Sequence, residues 1–239
     1  MPTLFISDLH LAPERPALFE QFRAFTDHVA REAEAVYVLG DLFEYWIGDD
    51  DLDEAFNANV ADALGQIPAR GTPLYLMRGN RDVLAGQTLA QRCGATLIED
   101  PTPVTLYGVP TLLMHGDSLC TDDLEYQKFR SYARNPANQQ KLLALPRAAR
   151  RAHIQGLRQE SEEKKQDKTA EIMDVSPVTV AEVLREHGYP RLIHGHTHRP
   201  AHHVHEIDGH RCERWVLNDW YARGGYLRCD AQGCELVTL

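Results

Sequence analysis

Five short apolar runs punctuate the chain, at residues 3–6, 36–39, 74–77, 111–114 and 191–193. Their length and strand-forming composition predict buried β-strands. Each run leads directly into oxygen or nitrogen donors: Asp8 and His10, then Asp41, Asn80, His115, and finally His196 with His198. In open α/β sheets, ligands bind just beyond the carboxyl ends of the strands, where the loops converge. Between the runs, residues 17–34 and 52–67 have helical spacing, with Asp51 placed to cap the second helix. Residues 87–93 predict a short helix stopped by Gly94. Residues 105–107 and 111–114, separated by Gly108, Val109 and Pro110, predict a hairpin that ends at His115.

From residue 122 to residue 173 the strand pattern vanishes, and Pro136 and Pro146 punctuate helical stretches. This predicts a helical insertion within one α/β domain that spans residues 1–239. Strand character resumes at 191, and residues 215–217, 226–229 and 236–238 predict closing antiparallel strands, so the sheet should be mixed. The predicted donors lie on both sides of the insertion.

Charge changes this picture in one place. The chain carries a net −10, which argues against general nucleic-acid binding. Residues 128–168 nevertheless hold 11 basic and 4 acidic residues, a local +7. Such an island reads as a contact surface for phosphates or for an anionic membrane, or as a solvated helix face. No run approaches a membrane span, and strand pattern begins almost at the first residue, so a cytoplasmic protein is expected. The five cysteines form no Cys-x-x-Cys pair and read as buried or half-buried thiols.

Singly, the donor motifs are weak: an Asp-x-His, a Gly-Asp and a Gly-Asn each occur in ordinary turns. His194-Gly195-His196-Thr197-His198 is more specific, with three imidazoles in five residues. Their joint occurrence after predicted strands is what points to metal. Carboxylate, amide and imidazole donors without thiolate suit Mn²⁺, Fe²⁺ or Zn²⁺ in a catalytic site. Seven donors suit two ions sharing one carboxylate, an arrangement that clamps a phosphate and activates water for in-line attack.

Taken together, these motifs resemble the calcineurin-like metallophosphoesterase superfamily. The resemblance implies a sandwich of two mixed β-sheets flanked by helices, with the insertion as a helical lid. It places Asp8, His10, Asp41 and His198 around one metal, and Asp41, Asn80, His115 and His196 around the other. Asp41 would bridge two Mn²⁺ ions, and Asp41, Asn80, Arg81 and His115 would be catalytic. Arg81 stands where most members carry a proton-donating histidine. A guanidinium is no acid at neutral pH but can clamp phosphate oxygens, which suits a leaving phosphate that needs little protonation.

Residues 40–50, 114–123, 170–175 and 192–200 further resemble the UDP-2,3-diacylglucosamine diphosphatase family of lipid A biosynthesis. That resemblance implies hydrolysis of the UDP-2,3-diacylglucosamine pyrophosphate, with water attacking the uridine-side phosphorus. It also implies peripheral attachment to the cytoplasmic face of the inner membrane, and no obligate protein partner. Substrate contacts would be Asn80, Arg81, Asp123, Ser161, Lys165, Lys168 and His196, although related sequences often carry Asn at the position of Lys165. Tyr126, Phe129 and Tyr132 read either as an acyl-chain lining or as helix core packing. A phosphoesterase acting on a soluble nucleotide or phosphoprotein remains open beside this reading, and a non-catalytic scaffold is disfavoured by the full donor set.

Overall fold

Alternate residues of each apolar run face two different layers, which is why the runs are continuous instead of alternating. The computed structural model describes residues 1–165, 172, 174–221 and 224–239, with the backbone alone at 160–165. The chain begins β1 (Thr3–Ile6), α1 (Pro16–Ala24), β2 (Ala35–Leu39), α2 (Ala55–Ala69), β3 (Leu74–Met77), α3 (Gln87–Cys93) and β4 (Thr96–Ile98). It continues through the hairpin β5 (Thr102–Leu106) and β6 (Val109–Leu113), then α4 (Leu124–Ala133), α5 (Pro136–Leu143), α6 (Arg147–Lys165), α7 (Pro177–Glu186) and β7 (Arg191–His194). Two further hairpins follow, β8 (Ala201–Ile207) with β9 (His210–Val216), and β10 (Gly225–Asp230) with β11 (Gly233–Thr238).

The strands form two mixed sheets, ordered β11-β10-β1-β2-β3-β4 and β5-β6-β7-β9-β8. In the first, β1 to β4 are parallel and β10 joins β1 antiparallel. In the second, β6, β7 and β9 are parallel. Phe5, Tyr37, Leu39, Met77, Leu113, Ile193 and Trp215 fill the space between the sheets. Their neighbours Leu4, Ile6, Val36, Val38, Leu74 and Leu76 point the other way and bury Phe22, Val60, Leu64 and Leu89 of α1, α2 and α3. On the far side, Leu112 and Leu192 pack against Val180 and Leu184 of α7. Burying a side chain such as Phe5 contributes roughly 2–3 kcal/mol, so the run pattern itself specifies a four-layer arrangement. The carboxyl ends of β1, β2, β3, β6 and β7 open onto one rim.

Several expectations change in detail. The helix expected over 17–34 stops at Ala24 and continues as a wide turn over Phe25–Val29 and a 3₁₀ turn over Ala30–Glu32. There the Thr26 hydroxyl donates to the Arg23 carbonyl at 2.9 Å and competes with the helical ladder. Asp51 is not the cap of α2, whose first turn is preceded by Glu54. Its carboxylate instead accepts from Asn57 at 2.9 Å and from Arg151 at 2.7 Å. The β5–β6 turn is only Tyr107-Gly108, both at positive φ, so Val109 and Pro110 already belong to β6. Strands β4 and β8 lack a strong apolar run and were not anticipated. Cys229 and Cys234, expected as thiols, sit opposite each other across β10 and β11 and form a disulfide, whereas Cys93, Cys120 and Cys212 are buried thiols.

The basic island also proves different from its sequence appearance. Arg130 and Arg134 of the insertion turn inward to Asp117, each at 3.0 Å, and Arg158 reaches Glu44 at 3.0 Å. Arg147 pairs with Asp53, Arg151 with Asp51 and Glu54, and Arg150 with Asp50. Six of the 11 basic side chains therefore latch the insertion to carboxylates of the core instead of forming a free positive surface.

Candidate metal centre

The loops after β1, β2, β3, β6 and β7 meet because backbone groups tie each to the next. Asp8 N–H donates to the Gly40 carbonyl at 3.1 Å, His10 N–H to Asp41 at 3.0 Å, and Gly195 N–H to His115 at 2.9 Å. Glycines permit that approach. A Cβ at Gly40 would lie 2.6 Å from the Gly79 backbone and 2.7 Å from His115 Nδ1, and Gly79 and Gly195 are equally crowded by Asp41 and by Asp8 with Ser7. Gly40 thus admits a neighbouring loop.

Five of the seven expected donors hold left-handed backbone: Asp8 (φ 55°), His10 (50°), Asp41 (54°), His196 (70°) and His198 (54°). Each costs about 1–3 kcal/mol for a non-glycine residue and persists only where the surroundings over-determine it. Such concentration on one rim marks a functional constraint. The strain points the side chains at one another.

Asp8 Oδ2 accepts from the Ser7 hydroxyl at 2.7 Å and from His196 N–H at 2.8 Å. Its other oxygen, Oδ1, is buried without a hydrogen bond and faces His198 Nε2 at 3.4 Å and His10 Nε2 at 3.9 Å. The two imidazole nitrogens are themselves 3.3 Å apart, and His10 Nε2 is 3.9 Å from Asp41 Oδ2. Next to this group, His115 Nδ1–H donates to the Leu39 carbonyl at 2.9 Å, which turns Nε2 toward Asn80 Oδ1 at 3.0 Å and Asp41 Oδ1 at 3.7 Å. The His196 ring lies 5.1 Å from the His115 ring.

Electron-pair donors thus face one another in buried space, an arrangement that a cation satisfies. The donor atoms of Asp8, His10 and His198 lie within 4.8 Å of one another, as do those of Asp8, Asp41 and His115. The residues fit two divalent ions. In the metal-free chain, protons stand in for part of that charge. Burial opposes charge on His115, but Asp41, Asp117, Asp8 and Asp100 outweigh it and raise its pKa to about 9. Burial raises the Asp41 carboxyl to about 7. Burial pushes the Asp8 carboxyl up, but His198 facing it at 3.4 Å, with His115 and His10 nearby, overcomes that and holds it well below the usual range. His196 is depressed to about 3, first by burial and then by His115, which leaves a neutral imidazole able to bind metal.

The remaining expected site residues are placed as follows. Arg81 lies at the rim with its N–H on Asp41 Oδ1 at 2.8 Å and its guanidinium 3.7 Å from Glu44. Asp123 caps α4, accepting from Tyr126 N–H at 3.0 Å. The Tyr126 ring lies 5.5 Å from His196, while Phe129 and Tyr132 are exposed, so neither of the latter two is helix core packing. Ser161 and Lys165 have side chains outside the described residues, and Lys168 lies wholly outside them. His194, the third histidine of its motif, is no donor to the centre: Nδ1–H gives to the Gly195 carbonyl at 2.9 Å and Nε2 accepts from Arg214 at 3.1 Å. His202 and His210 stack on Trp215 and Tyr189 away from the rim.

Three supporting residues stand outside the donor motifs. Asp82 is buried and gathers Gly79 N–H at 2.7 Å, Leu42 N–H at 2.8 Å and Asp41 N–H at 3.3 Å, joining the second and third loops. Ser7 orients Asp8. Glu44 is buried behind His10 among arginines. Adjacency to donor motifs was the available signal for Ser7 and Asp82; Glu44 had none.

Residues 1–200 match the family model described as calcineurin-like phosphoesterase. Over 233 residues the chain is 52% identical to a UDP-2,3-diacylglucosamine hydrolase of Aromatoleum aromaticum, covering 98% of this chain and 95% of that one. It is 50% identical to a protein of the same name from Pseudomonas aeruginosa, with 98% and 97% covered. Among solved structures, an archaeal phosphodiesterase superposes with a TM-score of 0.50 at 13% identity over the whole of both chains, a likeness of fold alone.

Proposed function

The chain belongs to the calcineurin-like phosphoesterase family, and from that premise we propose that it hydrolyses the pyrophosphate bond of UDP-2,3-diacylglucosamine. The products are UMP and 2,3-diacylglucosamine 1-phosphate, an intermediate step of lipid A biosynthesis. The observation that carries this reading is identity of about half, over 98% of the chain, with hydrolases of that substrate. The rim of converging donors supplies the matching chemistry.

The family implies a dinuclear metal site whose carboxylate, amide and imidazole donors without thiolate suit Mn²⁺, Fe²⁺ or Zn²⁺, and the two ions we assign here are Mn²⁺ on the resemblance to the UDP-2,3-diacylglucosamine diphosphatase family. Bound there, they supply an activated water and neutralise charge on the phosphoryl oxygens. The residues that would hold them are Asp8, His10, Asp41, Asn80, His115, His196 and His198, and Asp41 would be shared. Ser7, Asp82 and the Leu39 carbonyl fix the orientation of Asp8, the Asp41 loop and His115. Arg81, held at the same rim, faces phosphate oxygens as a permanent cation. It cannot protonate a leaving group, and a phosphate leaving from a pyrophosphate does not need it to.

The insertion over 122–173 serves as the lid. Leu124, Phe129, Tyr132, Leu143 and Leu145 expose apolar side chains there, which suits acyl chains and the surface of a bilayer. Among the described residues no helix is long and apolar enough to cross a membrane. We place the protein peripherally on the cytoplasmic face of the inner membrane, held more by these apolar side chains than by the basic residues, most of which are paired internally. Asn80, Arg81, Asp123, Ser161, Lys165, Lys168 and His196 form the proposed substrate-contacting set.

The test compares Mn²⁺-loaded protein on UDP-2,3-diacylglucosamine, UDP-glucose and p-nitrophenyl phosphate. A kcat/KM for the lipid nucleotide at least about 100-fold above the other two supports the reading. Equal or better turnover of the soluble compounds overturns it in favour of a soluble-substrate phosphoesterase.

A further inference from the structure

Glu44 is 1% exposed, directly behind the rim, and has no role in the ligand set. Its carboxylate lies 3.0 Å from Arg158 Nη2, 3.4 Å from Arg15 Nη1 and 3.7 Å from Arg81 Nη1. It also faces His10 Nδ1 at 3.8 Å. The three arginines come from three separate segments: the loop after β1, the loop after β3 beside Asn80, and the lid helix α6. Arg15 is fixed a second time, 4.7 Å above the Tyr221 ring, which stacks on His10 at 5.0 Å.

Three guanidiniums brought this close repel one another, and a buried carboxylate is costly unless paired. Each side of the cluster therefore needs the other. One carboxylate among three cations leaves surplus positive charge at the rim, where a diphosphate is to be held. The geometry lets Glu44 act as an internal anion that sets the arginines in place before any phosphate arrives, so their ordering costs nothing at the moment of binding.

We propose that Glu44 is a positioning residue that holds Arg81 and Arg158 in one cluster beside the metal ligands and so ties the lid helix α6 to the reactive rim. It touches no reacting atom and acts through the arginines. The proposal rests on the hydrolase reading given above.

The full-length Mn²⁺-loaded protein is compared with Glu44→Gln, Glu44→Asp, Arg158→Met and the double variant Glu44→Gln with Arg158→Met. Glu44→Gln should lower kcat about tenfold or more while KM moves less than about threefold, and Glu44→Asp, which keeps the charge, should recover part of the loss. The double variant should be no worse than the more damaged single one, because both break the same link. Amide exchange in α6 should accelerate in Glu44→Gln and in Arg158→Met, while β1 to β3 stay protected. Additive losses in the double variant, or unchanged exchange in α6, overturn the proposal. Wild-type protein inactive on the lipid nucleotide would overturn the hydrolase reading instead, and the exchange of α6 would still decide the role of Glu44.

Discussion

The rim of converging donors and the helical insertion are built on opposite principles. At the rim, buried donors are locked by backbone hydrogen bonds between loops, by glycines that admit close approach and by left-handed backbone at five of the donors. The insertion has no buried apolar residue along α4 or α5 and meets the core chiefly through arginines on carboxylates. Its packing contribution is modest, with Leu142 and Ile154 resting against the outer core. Rigid preorganisation serves chemistry, which tolerates little displacement. An ionic latch would suit the proposed lid, which would admit and release a two-chain lipid, since paired charges part without creating a cavity.

The contrast can be broken first at the rim. Asp41→Asn keeps the shape of the side chain but removes the charge that two ions would share. Turnover should fall by about a thousandfold or more, and metal measured by mass spectrometry of the desalted protein should drop below that of the wild type. Retention of both would separate the rim from the chemistry.

The next effect is on metal uptake with pH. An imidazolium cannot bind metal, and the metal-free His115 keeps its proton up to about pH 9, while Asp41 keeps one up to about pH 7. Metal binding must expel these protons, so apparent Mn²⁺ affinity should rise with pH, more steeply below 7 than between 7 and 9, and level off above 9. Affinity that is flat across this window would mean that the donors are already free.

The latch offers a smaller effect. Arg150 is buried, donates to the Ile47 carbonyl at 2.7 Å and pairs with Asp50. Arg150→Met should loosen α6 by about 1–3 kcal/mol, seen as faster amide exchange there, with metal content unchanged. Loss of metal in this variant would show that lid and rim are one cooperative unit, and would erase the distinction drawn between them. The smallest effect is at the lid surface. Leu124→Ser alters an exposed side chain, so stability should change by less than about 0.5 kcal/mol, while sedimentation with anionic vesicles should weaken. Unchanged sedimentation would remove Leu124 from the membrane-facing surface.

The rim was legible in the sequence because each donor follows an apolar strand that is buried on both faces, as with Ile6 before Asp8 and Leu39 before Asp41. Helix α3 and its stop at Gly94, with φ 65°, were equally plain. Charged residues were harder to read. An arginine looks the same whether it is solvated or paired with a carboxylate about a hundred positions away, as Arg151 is with Asp51. Hence a latch read as a surface patch. Glu44 sits among Phe43, Tyr45 and Trp46 with no spacing that announces its three arginines. Strand β8 was hidden by its histidines, of which His203 and His205 lie half-buried on the face that carries Ile207, and the Cys229–Cys234 bond needed the register of β10 on β11.

Hydrolysis of UDP-2,3-diacylglucosamine in ¹⁸O-water tests the central claim most directly. One ¹⁸O in UMP, with unlabelled 2,3-diacylglucosamine 1-phosphate, is the result expected from water delivered at the rim to the uridine-side phosphorus. Label in the lipid phosphate, or no release of UMP by the metal-loaded protein, would contradict it.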